Sequence, residues 1–263
     1  MCAGDGVVSS AAGAGGGQLG GRKTAEFPIL FLNSAARLNF DSSIGMKIVS
    51  FGDVHMATRN LERMGGVMSD CDLVILSGDL TNFGGIEETQ KVLSDVRRSC
   101  AKVLALSGNL DRREVIPFLE SEGIDLHGKG RVIDGVGIFG CGGSNLTPFK
   151  TPTEFTEDEI YAALRDGYRQ VRDLRPLVMV CHTPPFETRC DRILSGKAVG
   201  STAARRFIEE VQPDICISGH IHESAAEDAI GATKVFNAGP FKGGGYIVAH
   251  IAGKAVDARL EFL

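Results

Sequence analysis

Strand-like apolar runs alternate with helical patterns along residues 46–173. Short apolar runs end in Gly, Ser, Asp or Asn, as buried parallel strands do, and the stretches between them repeat apolar residues at helical spacing. This alternation is typical of βαβ units. It predicts strands at residues 46–51, 73–76 and 103–106, and helices at residues 60–68, 85–98, 114–122 and 157–173.

The second half of the chain contains more strand patterns than helical ones. One helix is predicted at residues 203–211, where Ser201 or Thr202 is a suitable N-cap. Because helical patterns disappear toward the C-terminus, we expect the last strands to form a second, antiparallel sheet. We find no internal repeat and no linker after residue 46, which predicts one domain. The predicted strands are residues 132–140, 177–181, 214–217, 233–236, 245–251 and 255–262.

The first 45 residues differ in composition from the rest of the chain. Residues 1–21 include eight Gly and four Ala, so little side-chain surface is available to offset the entropy of ordering them. The sequence therefore predicts a disordered tail at residues 1–45 and a folded domain at residues 46–263. Two alternatives stay open: the apolar residues 27–32 dock on the domain, or Met46 is the physiological start.

Composition and charge restrict the class of protein. With 43% hydrophobic and 23% charged residues, the chain is neither collagen-like, nor a coiled coil, nor wholly disordered. A net charge of −5 gives no strong case for nucleic-acid binding, which relies on clustered Lys and Arg. No apolar run approaches the ~18 residues of a membrane-spanning helix. Seven scattered cysteines without a CxxC pair or a signal peptide predict reduced thiols and a cytoplasmic location.

Residues of the types that can bind metal ions, Asp, Asn and His, follow closely after five of the predicted strands. Because the carboxyl ends of such strands open onto one crevice, we expect these side chains to converge. They include four of the six histidines. The residues are Asp53, His55, Asp79, Asn109, Asp111, His182, His220 and His222.

The spacing and chemistry of these residues point to a metal centre. In an extended chain residues i and i+2 face the same way, so Asp53 and His55 can share one ion, as can His220 and His222. A glycine immediately precedes Asp53, Asp79, Asn109 and His220, and it permits a sharp turn at each of these positions. Nitrogen and oxygen donors without sulfur favour Mn²⁺, Fe or Zn²⁺.

This ordered set of motifs resembles the calcineurin-like metallophosphoesterase superfamily. The resemblance covers residues 46–263 and implies an α/β fold, a four-layer αββα sandwich in which two mixed sheets are flanked by helices. It also implies two divalent metal ions, with Mn²⁺ expected and Fe or Zn²⁺ as alternatives. Asp53, His55 and His222 are implied to hold the first ion, and Asn109, His182 and His220 the second, with Asp79 bridging.

The resemblance implies a metal-dependent phosphohydrolase that acts on a small phosphate ester. It also implies that a water activated by the two ions attacks phosphorus in line, without a covalent enzyme intermediate. The implied catalytic residues are Asp79, Asn109, Asp111 and His220. For Asp111 two interpretations stay open, orientation of neighbouring groups or capping of the helix that follows.

One position departs from the family pattern. Many members carry Gly-Asn-His-Asp/Glu, whose His assists the leaving group, whereas this chain has Leu110 there. Because loss of a general acid penalises poor leaving groups most, we expect a phosphodiesterase. The alternatives are a non-catalytic scaffold on the same fold, a phosphomonoesterase, or a phosphoprotein phosphatase. The last is weakened because residues 78–84 lack Gly-Asp-x-x-Asp-Arg-Gly. The oligomeric state is not predicted.

Three further features are less specific. His127 is interpreted as a solvated loop histidine rather than a replacement acid. The glycine-rich residues 140–145 form either a turn or a set of backbone N–H groups that bind an anion. Residues 145–156 contain two prolines and are predicted to form a loop that overhangs the site.

Overall fold

Two large β-sheets lie face to face at the centre of the protein, in a computed structural model that describes residues 45–263. The first sheet has the order β13-β12-β1-β2-β3, the second has the order β10-β11-β9-β8-β5-β4, and a small third sheet pairs β6 with β7. The strands are β1 (Met46–Phe51), β2 (Leu73–Leu76), β3 (Val103–Ala105), β4 (Gly130–Ile133), β5 (Val136–Cys141), β6 (Ser144–Asn145), β7 (Glu154–Phe155), β8 (Leu177–Cys181), β9 (Ile215–Ser218), β10 (Ala226–Ile230), β11 (Thr233–Asn237), β12 (Gly245–Ala252) and β13 (Ala255–Phe262).

Helices cover the outer face of each large sheet. Buried residues of α1 to α4 pack on the first sheet, and those of α5 and α6 pack on the second. The helices are α1 (Asn60–Arg63), α2 (Gly65–Met68), α3 (Ile86–Arg97), α4 (Val115–Ser121), α5 (Glu157–Arg169) and α6 (Thr202–Val211). The predicted four-layer αββα sandwich of two mixed sheets in one domain is confirmed.

Alternating side chains of the central strands separate the layers. In β1, Ile48 points into the apolar layer between the two sheets, whereas Val49 packs toward the helices of the first sheet. In β8, Val180 lies between the sheets and Met179 faces α5 and α6. Because both faces of these central strands are covered, the sequence shows continuous apolar runs there in place of alternation.

The C-terminal strands do not form a separate antiparallel sheet, so that expectation is wrong. β12 pairs antiparallel with β1 and β13 pairs antiparallel with β12, so both extend the first sheet. β11 pairs parallel with β9, and β10 forms an edge of the second sheet. Apart from the partly exposed His250 and Ala252, every residue of β12 is buried, as expected of an interior strand.

Two predicted elements differ in detail from the structure, and one predicted helix cap is confirmed. The predicted strand at 132–140 is the hairpin β4–β5, because Asp134 and Gly135 both have positive φ and form its turn. The predicted helix at 60–68 is two short helices, α1 and α2, separated at Met64. Ser201 is the N-cap of α6, since its hydroxyl accepts the N–H of Ala204.

The prediction of a disordered tail at residues 1–45 falls, apart from Gly45, outside the described residues and stays a prediction. Within residues 45–263 the longest helix, α5, has 13 residues. No helix in this range combines the length and apolar character needed to cross a membrane.

A matched pair of valine substitutions tests the layer between the sheets. Val180 is fully buried there, whereas Val132 on the edge strand β4 is 56% exposed. Val180→Ala is expected to lower the free energy of unfolding by about 2 kcal/mol through lost burial and the cavity left behind. Val132→Ala is expected to change it by less than about 0.5 kcal/mol. Urea denaturation measures both, and equal effects would contradict the layered packing.

Candidate metal centre

The loops that follow β1 and β2 lie side by side and carry three of the predicted site residues. Parallel pairing continues past the strand ends, since the N–H of Asp53 donates to the Gly78 carbonyl at 2.9 Å. The N–H of His55 donates to the Asp79 carbonyl at 3.0 Å. These bonds fix Asp53, His55 and Asp79 relative to one another at the carboxyl edge of the first sheet.

A first group of ligand atoms converges at this edge. One ligand atom from each of Asp53, His55, Asp79 and His222 lies within 4.8 Å of the other three. Nε2 of His55 faces Nε2 of His222 at 3.1 Å, and Nε2 of His222 lies 3.3 Å from Oδ1 of Asp53. Two facing ring nitrogens cannot both direct a proton at each other, so at least one of them presents a lone pair that a cation could bind.

A second group lies beside the first and shares Asp79 with it. Oδ1 of Asn109 is 3.2 Å from Nε2 of His182 and 2.8 Å from Nδ1 of His220. Oδ1 of Asp79 is 3.6 Å from Nε2 of His182, and Oδ2 of Asp79 is 3.9 Å from Nε2 of His55. The two carboxylate oxygens of Asp79 therefore face the two groups.

The histidine tautomers fit a cation. Nδ1 of His182 lies 2.8 Å from the Ser77 carbonyl oxygen, and Nδ1 of His55 lies 3.3 Å from the Thr81 carbonyl oxygen. Since a carbonyl only accepts, Nδ1 carries the proton in both rings and Nε2 is left to bind a metal ion. Carboxylate, amide oxygen and imidazole donors without sulfur suit Mn²⁺, Fe or Zn²⁺.

The charges of the site favour a positive species at its centre. Burial alone would lower the pKa of His182, but the Asp79 carboxylate raises it to about 9. Burial and the neighbouring His182 lower the pKa of His220 to about 4, so His220 is neutral and can act as a ligand. Without a metal ion, a proton on His182 balances Asp79, and a bound cation would displace that proton.

Four candidate ligands have left-handed backbone, which is rare for residues other than glycine. The φ angles are +47° for Asp53 and His55, +48° for Asp79 and +68° for His220. The extended i, i+2 geometry expected for the two pairs is therefore wrong. His220 faces Asn109 while His222 faces Asp53, so this pair is divided between the two groups. Such strain persists where surrounding structure enforces it, as at functional sites.

Asp111 holds two of the site loops together. Its carboxylate is fully buried and accepts the N–H groups of Leu80, Thr81 and Gly108, together with the Thr81 hydroxyl. Burial and the charge of Asp79 raise the pKa of Asp111 to about 6. Of the two interpretations from the sequence, these contacts favour orientation of neighbouring groups over helix capping.

Comparison with known proteins identifies the architecture. A family model described as calcineurin-like phosphoesterase matches residues 46–224. The chain belongs to the calcineurin-like phosphoesterase family. An uncharacterised protein of Methanocaldococcus jannaschii is 39% identical over 206 residues, which cover 74% of this chain and 88% of that protein.

Solved structures share the fold of this calcineurin-like phosphoesterase. One crystal structure aligns with a TM-score of 0.70 and 18% identity, over 83% of this chain and 99% of that one. The protein TT1561 of Thermus thermophilus aligns with a TM-score of 0.63 and 14% identity, over 82% and 98%. Family membership and the cluster of Asp53, His55, Asp79 and His222 support a metal-dependent phosphoesterase that uses divalent metal ions.

Two of the less specific predictions are corrected by the contacts. The His127 ring is stacked on Phe155 at 4.9 Å, and its Nδ1 accepts the N–H of Gly142 at 3.2 Å, so it is not a solvated side chain. Burial lowers the pKa of His127. The N–H of Gly143 donates to the Ser107 carbonyl, and that of Ser144 to the Thr153 carbonyl. In the glycine-rich segment Gly142 and Gly143 connect β5 to β6, and the N–H groups of Gly142, Gly143 and Ser144 are already bonded.

The sequence did not reveal the partners that orient the candidate ligands. Ser77 and Thr81 contact the histidine rings through backbone carbonyls, which any residue could supply. The identity of these two side chains therefore does not indicate their role. Thr151 accepts a hydrogen bond from the side chain of Asn109 although it is 42 residues away along the chain. Only the tertiary structure brings these groups to the site.

Two glycine-to-alanine substitutions test the close packing around the phosphoesterase centre. Gly78 has φ +113°, and a Cβ there would overlap the imidazole of His182, whereas a Cβ at Gly66 in α2 meets nothing within 4 Å. Gly78→Ala is expected to lower the free energy of unfolding by about 2 kcal/mol or more and to weaken metal binding. Gly66→Ala is expected to be neutral or slightly stabilising.

Thermal unfolding and Mn²⁺ titration measure these two effects. If Gly78→Ala bound metal as tightly as the unsubstituted protein, the position assigned to His182 would be wrong.

Proposed function

We propose that this protein is a phosphodiesterase that uses two divalent metal ions, with Mn²⁺ as the expected ion. The observation that carries the proposal is the position of Asp79, whose two oxygens face two separate groups of ligand atoms. In this proposal Asp53, His55 and His222 hold one ion, and Asn109, His182 and His220 hold the other. The convergence of four ligand atoms within 4.8 Å supports the first group.

Two bound divalent ions would lower the pKa of a water molecule and neutralise charge on the phosphoryl oxygens. The protein supplies two carboxylates at this point, Asp53 and Asp79, both almost fully buried. His182 and His220 each present one nitrogen toward Asn109. In their neutral forms the two rings add no charge to that of the carboxylates. The site can therefore hold two cations and still attract a phosphate ester.

The environment of Leu110 supports a preference for diesters. Its N–H donates to Oδ1 of Asp79 at 2.8 Å, so the backbone is held beside the site while the side chain has no proton to give. His127 does not replace it, because its Nδ1 is bonded to Gly142 and its pKa is lowered. Without a general acid here, esters with good leaving groups are hydrolysed best.

Several finer points of the proposal come from the sequence alone. A small phosphate ester as the substrate and a cytoplasmic location are predictions, as is the choice of Mn²⁺ over Fe or Zn²⁺. Arg113, which follows the Asn109 loop, donates to the Glu154 carbonyl and lies over the Phe155 ring, so it has a structural role.

An Asp79→Asn variant tests whether the centre is catalytic. The substitution removes one negative charge and one anionic ligand from between the two groups, so we expect it to bind fewer Mn²⁺ ions and to retain less than about 1% of turnover. The assay is hydrolysis of bis-p-nitrophenyl phosphate by metal-stripped protein reloaded with Mn²⁺. Asp134→Asn is the matched control, since Asp134 is exposed and its left-handed turn position also suits Asn.

The outcomes separate the enzyme from a scaffold. Full turnover in Asp79→Asn would contradict the proposed centre. Two bound ions in the unsubstituted protein without turnover on either a diester or a monoester would favour a non-catalytic scaffold.

A Leu110→His variant tests the preference for diesters. An imidazole at this position would supply the missing acid, so turnover of an alkyl phosphomonoester, which has a poor leaving group, should rise relative to bis-p-nitrophenyl phosphate by about tenfold or more. Leu110→Gln is the control, because it is polar and of similar size but has no acid near neutral pH. An unchanged diester-to-monoester ratio in Leu110→His, or the same change in Leu110→Gln, would contradict this account.

A further inference from the structure

The loop between β6 and β7 is bonded directly to the loop that carries Asn109. The N–H of Thr153 donates to the Asn109 carbonyl at 3.1 Å, and the Thr153 hydroxyl donates to the Asp111 carbonyl at 2.6 Å. The side chain of Asn109 is also engaged, since its Nδ2 donates to Oγ1 of Thr151 at 3.1 Å. The predicted overhanging loop therefore contacts the side chain of a candidate metal ligand through the hydroxyl group of Thr151.

The proton of that hydroxyl group is committed elsewhere. Oε1 of Glu154 accepts the Thr151 hydroxyl at 2.6 Å, the Thr151 N–H at 2.7 Å and the Thr147 hydroxyl at 2.6 Å. Since a carboxylate only accepts, Thr151 must donate its proton to Glu154. Only lone pairs of Thr151 then face Asn109, so the end of the amide that meets them must be the NH₂ group.

This direction of bonding decides which end of the amide faces the site. The oxygen and nitrogen of an asparagine amide have nearly the same shape, so packing alone does not distinguish the two orientations. With Nδ2 held by Thr151, Oδ1 lies toward Nε2 of His182 and Nδ1 of His220. In the opposite orientation an NH₂ group would face both imidazoles and could not bind a cation.

We propose that Thr151 and Glu154 are positioning residues that hold the oxygen of Asn109 toward the second metal ion. The proposal rests on the proposed function, because it assigns Asn109 to that ion. Partners of this kind typically change metal affinity by about 10- to 100-fold. The effect is confined to the group of Asn109, His182 and His220, since neither Thr151 nor Glu154 bonds to a residue that belongs to the first group alone.

Thr151→Val tests the proposal, because valine keeps the shape of the side chain and removes the hydroxyl. Metal-stripped protein is titrated calorimetrically with Mn²⁺, and the Co²⁺ absorption spectrum follows the ligands of each ion. The dissociation constant of one ion is expected to rise about tenfold or more, while that of the other stays unchanged. Thr151→Ser, which restores the hydroxyl, is expected to recover the lost affinity.

Thr147→Val is the matched control. Thr147 donates to the same Glu154 oxygen as Thr151 does, at the same distance of 2.6 Å, but its hydroxyl has no bond to Asn109. This variant loosens the loop equally and is expected to leave both ions bound as in the unsubstituted protein. Thr151→Ala repeats the deletion with a smaller side chain, and melting in EDTA reports whether each variant folds.

The outcomes separate this proposal from the proposed function. Two ions in the unsubstituted protein, with equal affinities in a folded Thr151→Val or Thr151→Ala, would overturn the positioning role alone. Equal losses in Thr147→Val and Thr151→Val would also overturn it, because loop stability would then explain the effect. Fewer than two ions in the unsubstituted protein would overturn the two-ion function and with it this proposal.

Discussion

The site depends on the balance of charge around two buried carboxylates. Asp53 and Asp79 are 1% and 2% exposed and contribute ligand atoms to one cluster, so they require positive charge close by. In the protein without metal, a proton on His182 provides part of that charge, and the carboxylate of Asp79 raises the pKa of His182 to about 9. A bound cation supplies it more fully, because it also satisfies the nitrogen lone pairs that face one another. Metal binding and the stability of the site are therefore linked.

The two sheets hold this arrangement in place. Loops from the ends of β1, β2 and β3 meet loops from the ends of β8 and β9, so ligands from both sheets share one edge. The loops adopt strained left-handed conformations at Asp53, His55 and Asp79, and bonds between loops enforce them. Asp111 contributes to this enforcement by accepting three hydrogen bonds from the loop after β2 and one from Gly108 in its own loop. A rigid scaffold thus holds an unfavourable backbone geometry at the candidate metal ligands.

Local patterns were sufficient for the βαβ units and for the residues that gather at the site, and the resemblance to the family implied the four-layer sandwich. Apolar runs followed by Asp, Asn or His show where strands end, and parallel strands end at one edge. The sequence was insufficient for the path of the last strands, since β12 and β13 could have paired with either sheet. The sequence pattern did not show the turn at Asp134, and it suggested an extended backbone at His55, where φ is positive. Thr151, the hydrogen-bond partner of the Asn109 side chain, lies 42 residues away along the chain. These features arise from long-range packing.

The central claim is that Asp79 lies between two metal ions. Anomalous X-ray diffraction from crystals of the protein grown with Mn²⁺ tests it most directly, since it locates each ion without assumptions about activity. The account predicts two peaks about 3.5–4 Å apart, with one Asp79 oxygen next to each. The first peak is expected beside His55 and His222, and the second beside His182 and His220. A single peak, or two peaks without Asp79 between them, would contradict the account.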